Sequence, residues 1–338
     1  MTLSPHTRLE ITIALIVGTA LGCIFGSIAI IGMTLQPFVV TALAKAPTST
    51  PTNTTTRTPT ASPSATPYPT RTPRSVVQHF LMARPVAPSA TRTIPDPVYL
   101  YGTTRGGDLD VHHGEDFDEN PSGTPLYAVA DGTIVTAGSD AQPVCGDDYK
   151  TVCGANLSPD TNGFYGNLVV IRLWQDYKGQ PVFALYGHMD SVGVDVGDDV
   201  KQGDPIGNIG MTGVALGPHV HFETRLGVND YAHTRNPILW MAPLPGRGSL
   251  AGRYTDAKGN LVRGATVNVY RADDTFLVST ETYSRDKWAP VNSDDDLGEN
   301  FSMGDLPAGD YTIRIAGYAQ RVTIQDGKLS FVEIGGLQ

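Results

Sequence analysis

Clusters of lysine and arginine are missing from this chain of 338 residues, which carries 24 basic against 34 acidic side chains and a net charge of −10. A nucleic-acid surface needs a basic patch, so that class of partner is excluded. Cysteine is scarce too, at three. Cys23 sits in an apolar run, while Cys145 and Cys153 lie close together in a polar loop. An even pair in an exported loop reads as a candidate disulfide, with two free thiols as the plain alternative. Aromatic residues make up 8%, whereas glycine (37) and proline (25) are plentiful, and no stretch between 98 and 245 repeats with the helical period. These balances predict a β-rich protein with many turns, and the length suits two or three domains.

Charge is also missing from 11 to 44, and residues 11–35 are almost continuously apolar. About 20 apolar residues cross a bilayer, whereas a secretory signal has an apolar region of about 7–15. The run is therefore expected to be a transmembrane signal anchor. Arg8 and the amino terminus precede it and only Lys45 follows closely, which puts residues 1–10 in the cytoplasm and the remainder outside the cell. Cleavage after Ala42-Leu43-Ala44, or lipid attachment at Ala20-Leu21-Gly22-Cys23, would export the same domains with a different anchor. Residues 46–95 are rich in Thr, Pro, Ser and Ala and read as a disordered stalk. The apolar patch 76–82 interrupts it without an evident function, and His79 within that patch reads as an incidental linker histidine.

From about 98 to 245 the pattern changes to short β-like runs between Gly, Asp and Pro. Residues 125–130 and 133–137 flank Asp131-Gly132 as a hairpin would. Residues 167–173 and 181–188 read as strands joined across Lys178-Gly179, and 138–163 as a polar insertion. From 247 to 338 short, evenly spaced strands predict a small β-sandwich accessory domain. The acidic run Asp294-Asp295-Asp296 reads as a solvated loop, as do the turn aspartates Asp195, Asp198, Asp199 and Asp204.

Five of the eight histidines lie in or between residues 111–117 and 217–223. If 111–117 is extended, His112, Gly114 and Asp116 share one face, with His113 turned away. The same alternation puts His219, His221 and Glu223 on one face of a second strand. Imidazoles and a carboxylate from two adjacent strands make an open zinc site, which wants about three protein ligands and one free position. Neighbouring neutral histidines can accept a proton from a water or donate to an oxyanion. Glu223 is a candidate to orient a ligand histidine.

His112-His113-Gly114-Glu115-Asp116 resembles the His-x-Gly-x-Asp box of the lysostaphin-type zinc metallopeptidases, the peptidoglycan endopeptidase family. Tyr186-Gly187-His188 resembles that family's Tyr-x-His box. Gly210-Met211-Thr212-Gly213 and His219-Val220-His221-Phe222-Glu223 are similar to its Gly-x-Thr-Gly and His-x-His-Phe-Glu segments. The likeness runs from about 99 to 237 with the boxes in family order. It implies zinc ligands at His112, Asp116 and His221 and catalytic histidines at His188 and His219. It also implies a mainly β fold, with an antiparallel sheet like a barrel-sandwich hybrid, and cleavage of peptide cross-links in bacterial peptidoglycan. Residues 247–338 resemble a carboxypeptidase-regulatory-like or prealbumin-like β-sandwich, through Gly252, Asp256, Gly259, Leu306-Pro307, Gly309 and Tyr311.

Two readings from other classes compete. A catalytically silent wall-binding or hydrolase-activating module would have lost ligands, and here all five positions are filled. Residues 194–207 resemble the strand-turn-strand of lipoyl and biotinyl carriers. Yet the stretch 210–213, where the carrier lysine would stand, has none.

Overall fold

A computed structural model describes residues 76–140, 144–145 and 163–335. The expected anchor at 11–35, the stalk as far as 75, Cys23 and Cys153 lie outside the described residues, so neither the anchor nor the disulfide is tested. Among the described residues no helix is long and apolar enough to cross a membrane.

The first half of the described chain is one ten-stranded sheet. Its strands are β1 (Glu115–Phe117), β2 (Pro125–Tyr127), β3 (Gly132–Ser139), β4 (Val144–Cys145), β5 (Asn167–Leu173), β6 (Val182–Val192), β7 (Asp199–Val200), β8 (Pro205–Ile209), β9 (Val220–Leu226) and β10 (Thr234–Arg235). The main path runs β1-β9-β6-β5-β3-β4, and every pairing along it is antiparallel. Among the described residues helix is confined to two single 3-10 turns, Tyr231–His233 and Pro237–Leu239.

Patterning explains the layers. Strand β3 alternates buried and half-buried residues, the mark of a strand with one wet face. Strand β5 at the centre holds Leu168, Val169, Val170 and Ile171 fully buried. Strand β9 is buried along its whole length although it carries His221, Glu223, Thr224 and Arg225. Charged side chains rarely lie fully inside a protein unless paired, so β9 announces a polar site within the sheet.

The expected hairpin at Asp131-Gly132 does not form. Strand β2 pairs with β8, and β3 pairs with β5 and β7. Gly132 lies where a Cβ would come 2.5 Å from the Arg172 carbonyl oxygen, so the glycine serves a close strand approach, not a turn. The Lys178-Gly179 turn does form, with both residues at positive φ (52° and 75°) and Tyr177 bridged to Gln180.

The stalk ends earlier than 95. Met82 donates its N–H to the Trp240 carbonyl at 3.0 Å and accepts from Ala242 at 3.0 Å, and Val86 bridges to Leu126. Met82 and Val86 are buried in the main core. The apolar patch left without a function by the sequence thus covers apolar surface. His79 is buried, against the rings of Tyr177 and Trp240 and 3.1 Å from Asp294. Neither His79 nor Asp294 is the solvated residue its sequence context suggests.

The remaining strands are β11 (Arg247–Thr255), β12 (Thr266–Arg271), β13 (Phe276–Glu281), β14 (Phe301–Pro307), β15 (Gly309–Ile315), β16 (Tyr318–Ile324) and β17 (Leu329–Gly335). They form a three-stranded sheet, β14-β11-β17, and a four-stranded one, β13-β12-β15-β16. Side chains from both sheets, among them Leu250, Phe301, Val267 and Ile313, fill one core, as in a sandwich. This unit is not set apart from the first sheet. The main core takes in Ala251, Leu297, Leu329 and Phe331, and the sandwich core takes in Leu100 and Ile238. The described residues accordingly form one compact unit.

Candidate metal centre and the histidines around it

Strand pairing brings the site together. Asp116 on β1 stands directly opposite His221 on β9, and His221 stands opposite Gly187 on β6. His112 comes from the irregular stretch just before β1, since only residues 115–117 of the expected strand are regular. Hydrogen bonds hold that stretch instead: His112 N–H to the Thr103 carbonyl at 3.0 Å, and Gly102 N–H to the His112 carbonyl at 2.7 Å. Gly114 makes room for β9. A Cβ there would lie 2.6 Å from the Phe222 carbonyl oxygen and 2.7 Å from the His221 ring.

His112 Nε2, Asp116 Oδ1 and His221 Nδ1 face one another. The separations are 3.1 Å from His112 to Asp116, 3.1 Å from His112 to His221 and 3.0 Å from His221 to Asp116. A tetrahedral zinc with bonds of about 2.0–2.1 Å spans ligand pairs by about 3.3 Å, so the triangle is the right size. The partners behind the rings fix which nitrogens point inward. His112 Nδ1 donates to the Tyr99 carbonyl oxygen at 2.7 Å, and His221 Nε2 donates to Glu223 Oε1 at 3.1 Å. Each ring therefore spends its N–H outward and turns the other nitrogen toward Asp116.

The electrostatics ask for a cation at the same point. Burial works against ionisation of Asp116, but His112, His221 and His219 overcome it and hold the carboxyl well below the usual range. Burial likewise opposes a charge on His221, yet Asp116 and Glu223 outweigh it and push its pKa up to about 9. Positive charge is thus favoured between two carboxylates, and a divalent ion satisfies that demand. Among the described residues, His112, Asp116 and His221 are the grouping able to hold a metal.

His188 and His219 join this cluster, with ring centroids 4.7 Å apart and His188 5.8 Å from His221. His188 lies where the β5–β6 register slips between Asn167 and Val169. Its φ of 61° is a left-handed value for a non-glycine residue. Such a conformation costs about 1–3 kcal/mol and re-aims a side chain out of the regular pleat. Its Nδ1 donates to the Thr212 carbonyl at 2.9 Å, while His219 Nδ1 donates to Gly217 at 2.8 Å. Both rings therefore present a bare Nε2, that of His219 lying 3.7 Å from Asp116 Oδ2. Burial, then His221 and His219, push His188 down to about 3, so it is neutral at physiological pH.

All five residues singled out in the sequence meet here, and Glu223 stands behind His221 as expected. His113 stays out of the triangle, but it is fully buried, not idle. Its Nδ1 meets Thr234 Oγ1 at 2.9 Å and its Nε2 meets Asp286 Oδ2 at 3.0 Å. Sequence reasoning missed Tyr99, whose ring stacks on His112 at 4.1 Å with a 2° tilt between planes. It also missed the lock behind Glu223. Arg225 donates to Glu223 Oε2 at 2.7 Å, and the Tyr165 hydroxyl donates to Glu223 Oε1 at 2.5 Å. Burial opposes the charge on Glu223, but Arg225 and His221 prevail and hold it down to about 2. The available signal was Arg225 itself, a charge in phase with Glu223 on an otherwise buried strand.

Residues 110–236 match the family profile described as Peptidase family M23. DD-carboxypeptidase/endopeptidase Mpg of Neisseria meningitidis serogroup B is 29% identical over 170 residues, 48% of this chain and 32% of that protein. Glycyl-glycine endopeptidase ALE-1 of Staphylococcus capitis is 36% identical over 130 residues, 38% of this chain and 29% of that protein. The chain thus spans about a third or less of the length of the curated relatives it matches. The solved catalytic domain of lysostaphin from Staphylococcus simulans aligns at 27% identity over 44% of this chain and 90% of that one, with a TM-score of 0.31. This chain carries a Peptidase family M23 domain, homologous to lysostaphin and to peptidoglycan endopeptidases.

Proposed function

We propose that this chain is a zinc endopeptidase that hydrolyses peptide cross-links of bacterial peptidoglycan. The observation that carries the reading is the orientation of His112 and His221. Their outward hydrogen bonds to Tyr99 and Glu223 turn the remaining ring nitrogens and an ionised Asp116 toward one point. The relatives add the substrate class, since those they resemble are named as endopeptidases, one of them a glycyl-glycine endopeptidase.

Zinc, when bound, polarises the scissile carbonyl and brings the pKa of a water close to neutral. His112, Asp116 and His221 hold the ion, and the partners behind them keep the rings from turning. His188 and His219 stand beside these residues. Their bare Nε2 atoms can take the proton of the attacking water, and the imidazolium so formed returns it to the amine nitrogen as the C–N bond breaks. A neutral imidazole with its N–H already given to Thr212 or Gly217 cannot donate to an oxyanion. That assistance begins only once Nε2 has been protonated.

The reading includes location. An uncharged apolar run at 11–35 followed by a Thr/Pro-rich segment supports a single-pass anchor with the peptidase domain outside the cell, where peptidoglycan lies. The test uses the full chain purified in metal-free buffer. About one equivalent of zinc is expected, together with release of peptides from purified cell wall, identified by mass spectrometry. Intact wall at full zinc occupancy would instead identify a silent wall-binding module.

A further inference from the structure

The 19 residues between β13 and β14, 282–300, are anchored in the sandwich at both ends, through Thr282 and Asn300, and reach between them to the peptidase half. Long irregular segments are uncommon in compact domains and are usually functional. Ser284 N–H donates to the Gly102 carbonyl at 2.7 Å, and Gly102 N–H donates in turn to the carbonyl of ligand His112 at 2.7 Å. A Cβ on Gly102 would lie 2.4 Å from the Tyr283 ring, so the two segments meet with no space between them. Asn292 N–H donates to the Tyr101 hydroxyl at 3.1 Å, and its Nδ2 donates to the Ala232 and Thr234 carbonyls.

Asp286 is the point of this segment that reaches the irregular stretch carrying His112. Its Oδ2 meets His113 Nε2 at 3.0 Å, with the two side chains 3% and 0% exposed. His113 is clamped between Asp286, Thr234 and the Tyr231 ring at 4.2 Å, and the next residue back is His112. Asp286 is itself held, Oδ1 accepting from Lys287 N–H at 2.7 Å and Oδ2 from Ala289 N–H at 3.3 Å. The ring of His113 cannot rotate without breaking one of two buried hydrogen bonds, so the backbone at 112–113 is fixed from the sandwich side.

We infer that Asp286 is a positioning residue of the metal centre, through which the C-terminal sandwich holds ligand His112 in place by way of His113. The inference rests on the zinc reading above. The sandwich is then a part of the catalytic unit, and a fragment ending near 245 lacks one wall of its ligand support.

The test measures zinc affinity of the full chain by competition with a chromophoric chelator, with the visible spectrum of the cobalt-loaded protein as a second readout. Asp286→Ala is expected to weaken zinc binding about tenfold, in line with other residues that orient ligands, and to shift the cobalt bands. Asp286→Asn, which keeps an acceptor oxygen for His113, is expected to restore affinity to within about threefold of the parent. Asp296→Ala serves as the control, because it removes ties to Lys178 and Tyr177 from the same segment without touching His113. It should leave zinc affinity and the spectrum unchanged. Parental affinity in Asp286→Ala overturns the inference, and so does equal weakening in Asp296→Ala. If Asp286→Ala does not fold, Asp286→Ser takes its place with the same expectation. Failure of both to fold also overturns the inference, by making Asp286 a folding residue. If the parent chain takes up no zinc, the proposed function fails instead, before any variant is compared.

Discussion

Asp116 and Glu223 on one side and Glu299 on the other are withdrawn carboxylates that have been pushed in opposite directions. At the candidate metal centre, His112 and His221 hold Asp116 well below the usual range, and Arg225 and His221 hold Glu223 down to about 2, in both cases against the cost of burial. In the 282–300 segment, burial and the neighbouring Asp294 push Glu299 up to about 8. Glu299 has no cation of its own, only N–H and O–H donors from Asp294 and Tyr283. The difference teaches what separates a site from an internal brace. A carboxylate kept ionised among imidazoles is prepared for an arriving cation, whereas one kept protonated among hydrogen bonds ties together the segment that carries it.

The strongest way to break that comparison is to remove the charge that awaits the cation. Asp116→Ala and His112→Ala are expected to lose both bound zinc and wall hydrolysis, read by metal analysis and peptide release. Full zinc in either variant would mean the triangle is not the metal site. His219→Ala should keep its zinc and lose about 10²- to 10⁴-fold in turnover, the usual size of a general acid–base contribution. Unchanged turnover would leave His188 as the sole candidate for that role.

A smaller effect sharpens the ionised side. Glu223→Gln keeps the shape of the side chain but leaves Arg225 buried without its counter-charge and His221 without its acceptor carboxylate. Zinc affinity is expected to fall about 10- to 100-fold. Stability should fall by about 3–5 kcal/mol, as when one partner of a buried pair is removed. Chemical denaturation of metal-free protein separates the two losses. A variant as stable as the parent would show that Arg225 does not depend on Glu223.

The sequence exposed the site more fully than the fold around it, for a physical reason. Ligand chemistry is local: His112 and Asp116 are four residues apart and His219 and His221 two, so short motifs carry them. The supports are distant. Tyr99 reaches His112 with a backbone carbonyl, which any residue could supply. Asp286 meets His113 across 173 positions of chain. Turn chemistry was legible at Lys178-Gly179 but misleading at Asp131-Gly132, because a glycine needed for close strand approach looks the same as one needed for a turn. Strand alternation grouped His112 with Asp116, and the structure brings the two together although 111–114 is not a strand: residues 115–117 pair with β9 and Gly114 lets it come close. The 76–82 patch and Asp294 were misplaced because composition around them is that of a linker or a loop, and burial there is decided by partners far along the chain.

The mildest prediction concerns the protonated side. The folded state holds the Glu299 proton up to about pH 8, whereas the unfolded chain releases it near its ordinary value of 4.5. Between those limits the folded state binds more protons than the unfolded one, so raising the pH favours unfolding. The slope is about 1.4 kcal/mol per pH unit where only the folded state retains the proton, and it vanishes below and above the window. Glu299→Gln cannot ionise, so that part of the slope should disappear. Urea midpoints of parent and variant at pH 5, 6, 7 and 8 provide the measurement. The parent should lose stability relative to the variant as pH rises through this range, and zinc affinity should be the same in both. Parallel curves would show that Glu299 is ionised in the folded protein, and the contrast between the two clusters would collapse into one kind of buried carboxylate.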